Sequence, residues 1–209
     1  MSAQLSYKTL RAENSAEFVI NKSRFIGYGC PCETEEEALA FLGRMREQYK
    51  DANHNCYAYI IGANMGVMRY NDDGEPGGTA GMPIIEVMKA RGVTNCAVVV
   101  TRYFGGILLG AGGLTRAYAR GATAALNACG VGVMHPTARY LVDVPYPMLS
   151  RVEYFLASAP VASDMRLAAR PVGAHSATSS SPGSRLSMHL IIVVLPVPGP
   201  PVITTMPRV

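Results

Sequence analysis

The sequence lacks most of the features that reveal a function at a glance. Its opening residues, Met1-Ser2-Ala3-Gln4-Leu5-Ser6-Tyr7-Lys8, have no apolar core of a secretory signal, so no leader is expected. The longest aliphatic run, Leu190 to Leu195, is far too short to cross a bilayer, which excludes a helical membrane span. There is no C-x-x-C pair. Cys30-Pro31-Cys32 is a C-x-C, and Cys56, Cys96 and Cys129 stand singly among apolar neighbours. That pattern argues against a redox motif, a zinc site or a disulfide framework, and for buried thiols in a reducing cytoplasm. No serine is spaced as a nucleophile elbow. A dinucleotide fingerprint is excluded because, counting from Gly110 and Gly112, the third glycine position holds Thr115. No Gly-Lys-Ser/Thr phosphate loop is present either, and no cofactor is expected.

Bulk charge of one sign is also missing where it would matter. The chain carries 19 Lys plus Arg against 15 Asp plus Glu. Arg166, Arg170, Arg185 and Arg208 follow Leu156, and among the acids only Asp164 does, so residues 1–156 are close to neutral. Any nucleic-acid surface has to come from local clustering.

What the sequence does have is a long central stretch, Cys96 to Gly130. The apolar run Ala97-Val98-Val99-Val100 leads through Thr101-Arg102-Tyr103-Phe104 into Gly105-Gly106-Ile107-Leu108-Leu109-Gly110-Ala111-Gly112-Gly113. An alanine-rich segment, Leu114 to Cys129, then stops at Gly130. This pattern predicts a buried strand, a glycine-rich turn and a helix. Such a turn leaves the first helical N–H groups free to face an anion. With Arg24, Arg102, Arg116 and Arg120 near it, the stretch reads as a phosphate or nucleic-acid contact. Gly105, Gly106, Gly112 and Gly113 would let the ligand approach, and Tyr103 would be the exposed ring for stacking, with Phe104 in the core. The alternative is that Gly112, Gly113 and Gly121 only let the helix pack closely on its sheet.

Earlier in the chain, residues 17–31 read as one strand or two, interrupted at Asn21-Lys22-Ser23-Arg24. Thr34 and Glu37 form a capping box for a helix whose core stripe is Ala38, Phe41, Leu42, Met45 and Tyr49. Residues 56–61 and 65–70 read as a hairpin, and a second helix is expected to start near Pro83 and to stop at Gly92. His54, at the turn before the hairpin, is a candidate general base or a structural histidine. Asp72, Asp73 and Glu75 form an acidic loop that reads either as oxygen ligands for a divalent ion or as ordinary turn chemistry. A catalytic pairing of His54 with Asp73 is the enzyme alternative.

The motifs Asp72-Asp73-Gly74-Glu75-Pro76-Gly77-Gly78-Thr79-Ala80-Gly81-Met82-Pro83 and Val100-Thr101-Arg102-Tyr103-Phe104-Gly105-Gly106-Ile107-Leu108-Leu109-Gly110-Ala111-Gly112-Gly113-Leu114 together strongly resemble the IMPACT/YigZ family. Ser23-Arg24-Phe25-Ile26 and His54-Asn55-Cys56-Tyr57-Ala58-Tyr59 match it in order and spacing, and the resemblance covers residues 5–135. It implies an α/β (α+β) domain over residues 1–135, similar to the second domain of small-subunit ribosomal protein five. A ferredoxin-like second domain is implied to begin at 137–156. It also implies translational control, with RNA, the ribosome or a translation-control protein as partner, and no membrane. The oligomeric state is left open. The alternative function is a small-molecule enzyme acting on a phosphorylated substrate at His54 and the acidic loop.

From Ala157 the composition changes abruptly. Eight prolines follow, there are no aromatic rings, and one acid remains. The expectation is a low-complexity tail over 157–209, genuine or produced by a reading-frame shift, rather than a completed second domain.

Overall fold

The computed structural model describes residues 6–135, 138–158, 166–168 and 187–194, which divide into a unit up to Met134 and one from His135 onward. The first unit is built on a five-stranded antiparallel sheet. Its strands are β2 (Asn14–Ile20), β3 (Ser23–Pro31), β4 (His54–Ile61), β5 (Val67–Asn71) and β6 (Cys96–Tyr103), in the order β2-β3-β6-β4-β5. β6 lies in the middle, paired with β3 on one side and β4 on the other. Helix α1 (Glu35–Gln48) covers one face, and α2 (Gly81–Arg91) and α3 (Gly110–Cys129) cover the other. A strand buried on both faces reads as a continuous apolar run rather than an alternating one, as β6 does from Cys96 to Val100. Alternation still sorts its side chains: Val98 and Val100 meet α2 and α3, while Ala97 and Val99 meet α1.

The local signals act as the sequence suggests. Asn21 and Lys22 take positive φ values of 47° and 62°, making a two-residue reverse turn that splits residues 14–31 into the β2–β3 hairpin. The Glu37 N–H donates to the Thr34 hydroxyl at 3.2 Å, and the Glu37 carboxylate reaches back to the Glu33 N–H at 2.7 Å. The box is therefore closed one residue earlier than its usual form. Ala38, Phe41, Leu42 and Met45 are buried on Tyr59 and Val99. Gly92, at φ 65°, ends α2. α2 begins at Gly81 rather than Pro83, and α3 at Gly110 rather than after Gly113.

α3 lies unusually close to the sheet. A Cβ on Gly27 of β3 would stand 2.3 Å from the Gly121 carbonyl oxygen, and one on Gly121 would stand 2.8 Å from Val100 Cγ1. The packing reading therefore holds for Gly121. It does not hold for Gly112, which is exposed in the first turn of α3 with only the end of the Arg116 side chain, at 3.6 Å, near the place of its missing Cβ.

Two short strands were not foreseen: β1 (Tyr7–Leu10) pairs with β7 (Val131–Met134). Four residues each is too short for a periodic signal.

In the second unit, β8 (Ala138–Pro145) is followed by α4 (Leu149–Ser158). β10 (Ser187–Val194) pairs along the whole of β8 and also with β9 (Arg166–Ala168), giving an antiparallel three-stranded sheet. The segment expected as a low-complexity tail thus contains strands at 166–168 and 187–194. The β-branched Ile191, Ile192, Val193 and Val194 supply the strand preference that proline and serine mask elsewhere. The proline-rich segment Pro196 to Pro201 and Pro160, Pro171 and Pro182 lie outside the described residues. We propose that the change of composition after Leu156 reflects a shifted reading frame. Resequencing the gene checks this: a confirmed frame, together with protease-resistant residues beyond Ala157, ends the proposal.

Candidate functional site

The site lies where the C-terminal end of β6 meets the start of α3. His54, the first residue of β4, is the cross-strand neighbour of Arg102 near the end of β6. Arg102 follows Val98 and Val100 on the helix-covered face, and this explains a correction. It is not an exposed phosphate contact but a buried side chain, 6% exposed, whose Nη1 lies 2.6 Å from Glu75 Oε1. The Tyr118 hydroxyl of α3 donates to the same carboxylate oxygen at 2.7 Å, and Glu75 is 3% exposed. Burial pushes the Tyr118 hydroxyl well above its ordinary range, so it stays a donor. Burial likewise raises the Cys56 thiol, whose Sγ lies 2.9 Å from the Asp72 carbonyl, which removes it as a nucleophile near neutrality.

His54 is partly buried. Its Nδ1 lies 2.8 Å from the Asp73 carbonyl oxygen, and a carbonyl only accepts. Nδ1 of the neutral ring therefore carries the proton, leaving Nε2 as the acceptor, 3.9 Å from Glu75 Oε1. The expected pairing of His54 with the Asp73 carboxylate is corrected, because Asp73 Oδ2 takes the Asn55 N–H at 2.6 Å.

The acidic loop is scaffold rather than a metal cradle. Asp72 accepts the N–H groups of Gly78, Ala80 and Gly81 at 2.9, 3.0 and 2.8 Å. Asp72, Asp73 and Glu75 thus turn to three different sets of donors. Among the described residues no group of three His, Cys, Asp or Glu side chains is arranged to hold a metal ion.

Of these residues His54, Glu75 and Arg102 line a cleft of about 380 Å³, the size of a small-ligand pocket. Asn53, His54, Glu75 and Arg102 form its polar side, and Pro76, Phe104, Leu108, Leu109 and Leu114 its apolar side. Gly110 and Ala111, in the first turn of α3, close it. Phe104 is 43% exposed rather than core, because the strand ends at Tyr103 and alternation stops there. Its ring centroid lies 5.3 Å from the Arg102 guanidinium, with Phe25 at 5.5 Å.

The other predicted contacts do not form one face. Arg24 and Tyr103 are register partners on the α1 side of the sheet, where Arg24 is paired with Glu17 at 2.6 Å and Tyr103 donates to Asp51. Arg116 and Arg120 are exposed on α3, on the opposite side, and the Arg120 guanidinium lies 4.4 Å from the Phe18 ring. Gly105 packs against the β2–β3 turn, where an added Cβ would meet Lys22 C at 2.0 Å. Gly106 stays in the loop, and Gly112 and Gly113 belong to the first turn of α3.

The family model described as the Impact N-terminal domain matches residues 21–126, which span β3 through most of α3 and include every residue lining the cleft. The chain belongs to the Impact N-terminal domain family. The IMPACT family member YvyE of Bacillus subtilis (strain 168) is 48% identical over 141 residues, covering 65% of each chain. YigZ of Escherichia coli (strain K12) is 39% identical over 139 residues, covering 66% of this chain and 68% of its own. The mouse protein IMPACT is 35% identical over 94 residues, 43% of this chain and 29% of that one. The chain thus spans about two thirds of the bacterial IMPACT members it matches. A solved structure described as a hypothetical protein superimposes with a TM-score of 0.61 and 32% identity over 91% of this chain and 85% of that one. Among the described residues no helix is long and apolar enough to cross a membrane.

Proposed function

We propose that this chain is a translation-associated regulatory binding protein that contacts RNA or a ribonucleoprotein through the outer face of α3. The IMPACT resemblance supplies the setting, translational control in the cytoplasm. The observation that carries the contact is on α3 itself: Arg116 and Arg120 are both exposed one turn apart, and no acidic residue occurs anywhere in the helix. The arginines elsewhere in the predicted set are neutralised in place, Arg24 by Glu17 and Arg102 by Glu75. A pair of exposed guanidiniums on one helix, with no ion-pair partner among the described residues, suits the sugar–phosphate backbone, which is read by charge rather than sequence.

The test is the salt dependence of binding to a labelled single-stranded RNA, followed by anisotropy. Each phosphate contact removed should flatten the log–log slope by about 0.7 on single strands. Arg116→Ala combined with Arg120→Ala is expected to remove about two such contacts. Arg24→Ala, on the other side of the sheet, should leave the slope unchanged. A wild-type protein without salt-dependent binding to any RNA would end the proposal.

A further inference from the structure

The cleft holds a chemistry that the α3 arginine face does not use. Leu109, at the N-cap of α3, makes no side-chain hydrogen bond to the helix, so the first-turn N–H groups have no capping side chain. Gly110 and Ala111 of that turn line the cleft. A helix start alone is not a ligand site. The same cleft is lined by a second, independent signal: Arg102, 6% exposed, has a buried Nε with no hydrogen-bond partner, beside the Phe104 ring. An orphaned donor on a buried cation costs free energy. The carboxylate beside it is already compensated, since Glu75 Oε1 takes both Arg102 Nη1 and the Tyr118 hydroxyl. Arg102 Nε and the uncapped first turn of α3 thus leave donors at one cleft without an acceptor among the described residues. The opposite wall is apolar, with Leu108 84% exposed at its rim.

We propose that the cleft binds a small organic oxyanion, a phosphate monoester or a carboxylate joined to an apolar body. The oxygens sit against the first-turn N–H groups of α3 and reach Arg102 Nε when the Phe104 ring turns aside. His54 Nε2 is positioned to accept a hydrogen bond from a ligand hydroxyl, and the apolar body lies on Leu108 and Leu114. This goes beyond the RNA contact and stands on other residues, so the two can fail separately.

Phenyl phosphate, benzoate and inorganic phosphate are titrated into the 15N-labelled full chain. The amides of Gly110, Ala111 and Gly112 and the Arg102 Nε–H resonance are followed. The expected result is saturable movement of all four signals with phenyl phosphate or benzoate, the tighter of the two naming the head group, and weaker binding of inorganic phosphate. Leu108→Glu changes an exposed residue at the rim, and its charge should weaken binding about tenfold, whereas Leu108→Lys should not weaken it. Two results would overturn the proposal: no movement of the Arg102 Nε–H with either organic ligand, or equal weakening by Leu108→Glu and Leu108→Lys.

Discussion

Arg102→Ala is expected to destabilise the first unit by about 3–5 kcal/mol, because it leaves Glu75 charged and 3% exposed without its cation. Tyr118 would remain as a donor to that carboxylate, but one neutral hydrogen bond does not replace an ion pair held at 2.6 Å. Removing both partners should cost less than the sum of the single losses, since the penalty lies in the orphaned charge rather than in the missing contact. Urea denaturation of the two single variants and the double variant measures this directly. A loss below about 1 kcal/mol for Arg102→Ala would mean that water reaches Glu75 freely, contrary to the burial described. The same experiment guards the RNA test: Arg102 variants report on folding, whereas Arg116 and Arg120 report on the surface.

Gly27→Ala is the second large effect. Its methyl would lie 2.3 Å from the Gly121 carbonyl oxygen, main chain against main chain, with no flexible side chain to yield. α3 would have to lift from β3, with a loss of about 3 kcal/mol at the upper end of ordinary overpacking. Gly112→Ala makes the contrasting case. It stands in open space with only Arg116 Nη1 at 3.6 Å, and alanine favours a helix over glycine by up to about 1 kcal/mol. Thermal melts of the two variants should move in opposite directions. A Gly27→Ala protein that melts with the wild type would show that α3 does not sit as close to β3 as described.

The two glycines also show where the sequence was legible and where it was not. Helix α1, the β2–β3 hairpin and strand β6 each carry a local signal: a capping box, an Asn-Lys turn and a β-branched run. Close approach was only half legible: Gly121 reads as a packing glycine together with Gly112, which is not one, while Gly27, which meets it across the fold, looks like any other glycine along the chain. Arg102 was misplaced for a different reason. It sits two residues beyond Val100, so strand alternation already put it on the buried face. What the sequence concealed was its partner, Glu75, 27 positions away in a loop whose acids suggested metal or turn chemistry. Tyr118 belonged to the buried stripe of α3 with Leu114 and Leu126, but its hydroxyl's destination depends on the same loop. The split of Arg24 from Arg116 and Arg120 follows from alternation combined with knowing which face α3 covers, and only the second of these is tertiary.

The hydrogen bonds of Asp72 bear on how the cleft can move. Ala80 stands at the N-cap of α2 and makes no side-chain hydrogen bond, and the Asp72 carboxylate does that work from eight residues upstream. Asp73 fastens the other side of the same turn to the Asn55 N–H of β4. Glu75 therefore rides on a bracket bolted to a helix end and to a strand, and displacing it means uncapping one or unzipping the other. These bonds tie the acidic wall to the elements that hold it, and amide exchange of the Ala80, Gly81 and Asn55 N–H groups is expected to track opening of the whole unit. Across the cleft the rim is fastened at its start, where the Phe104 N–H donates to Asn53 Oδ1 at 2.7 Å and the Gly105 N–H to Ser23 Oγ at 3.2 Å, so whatever enters meets the exposed Phe104 and Leu108 side chains between two anchored walls.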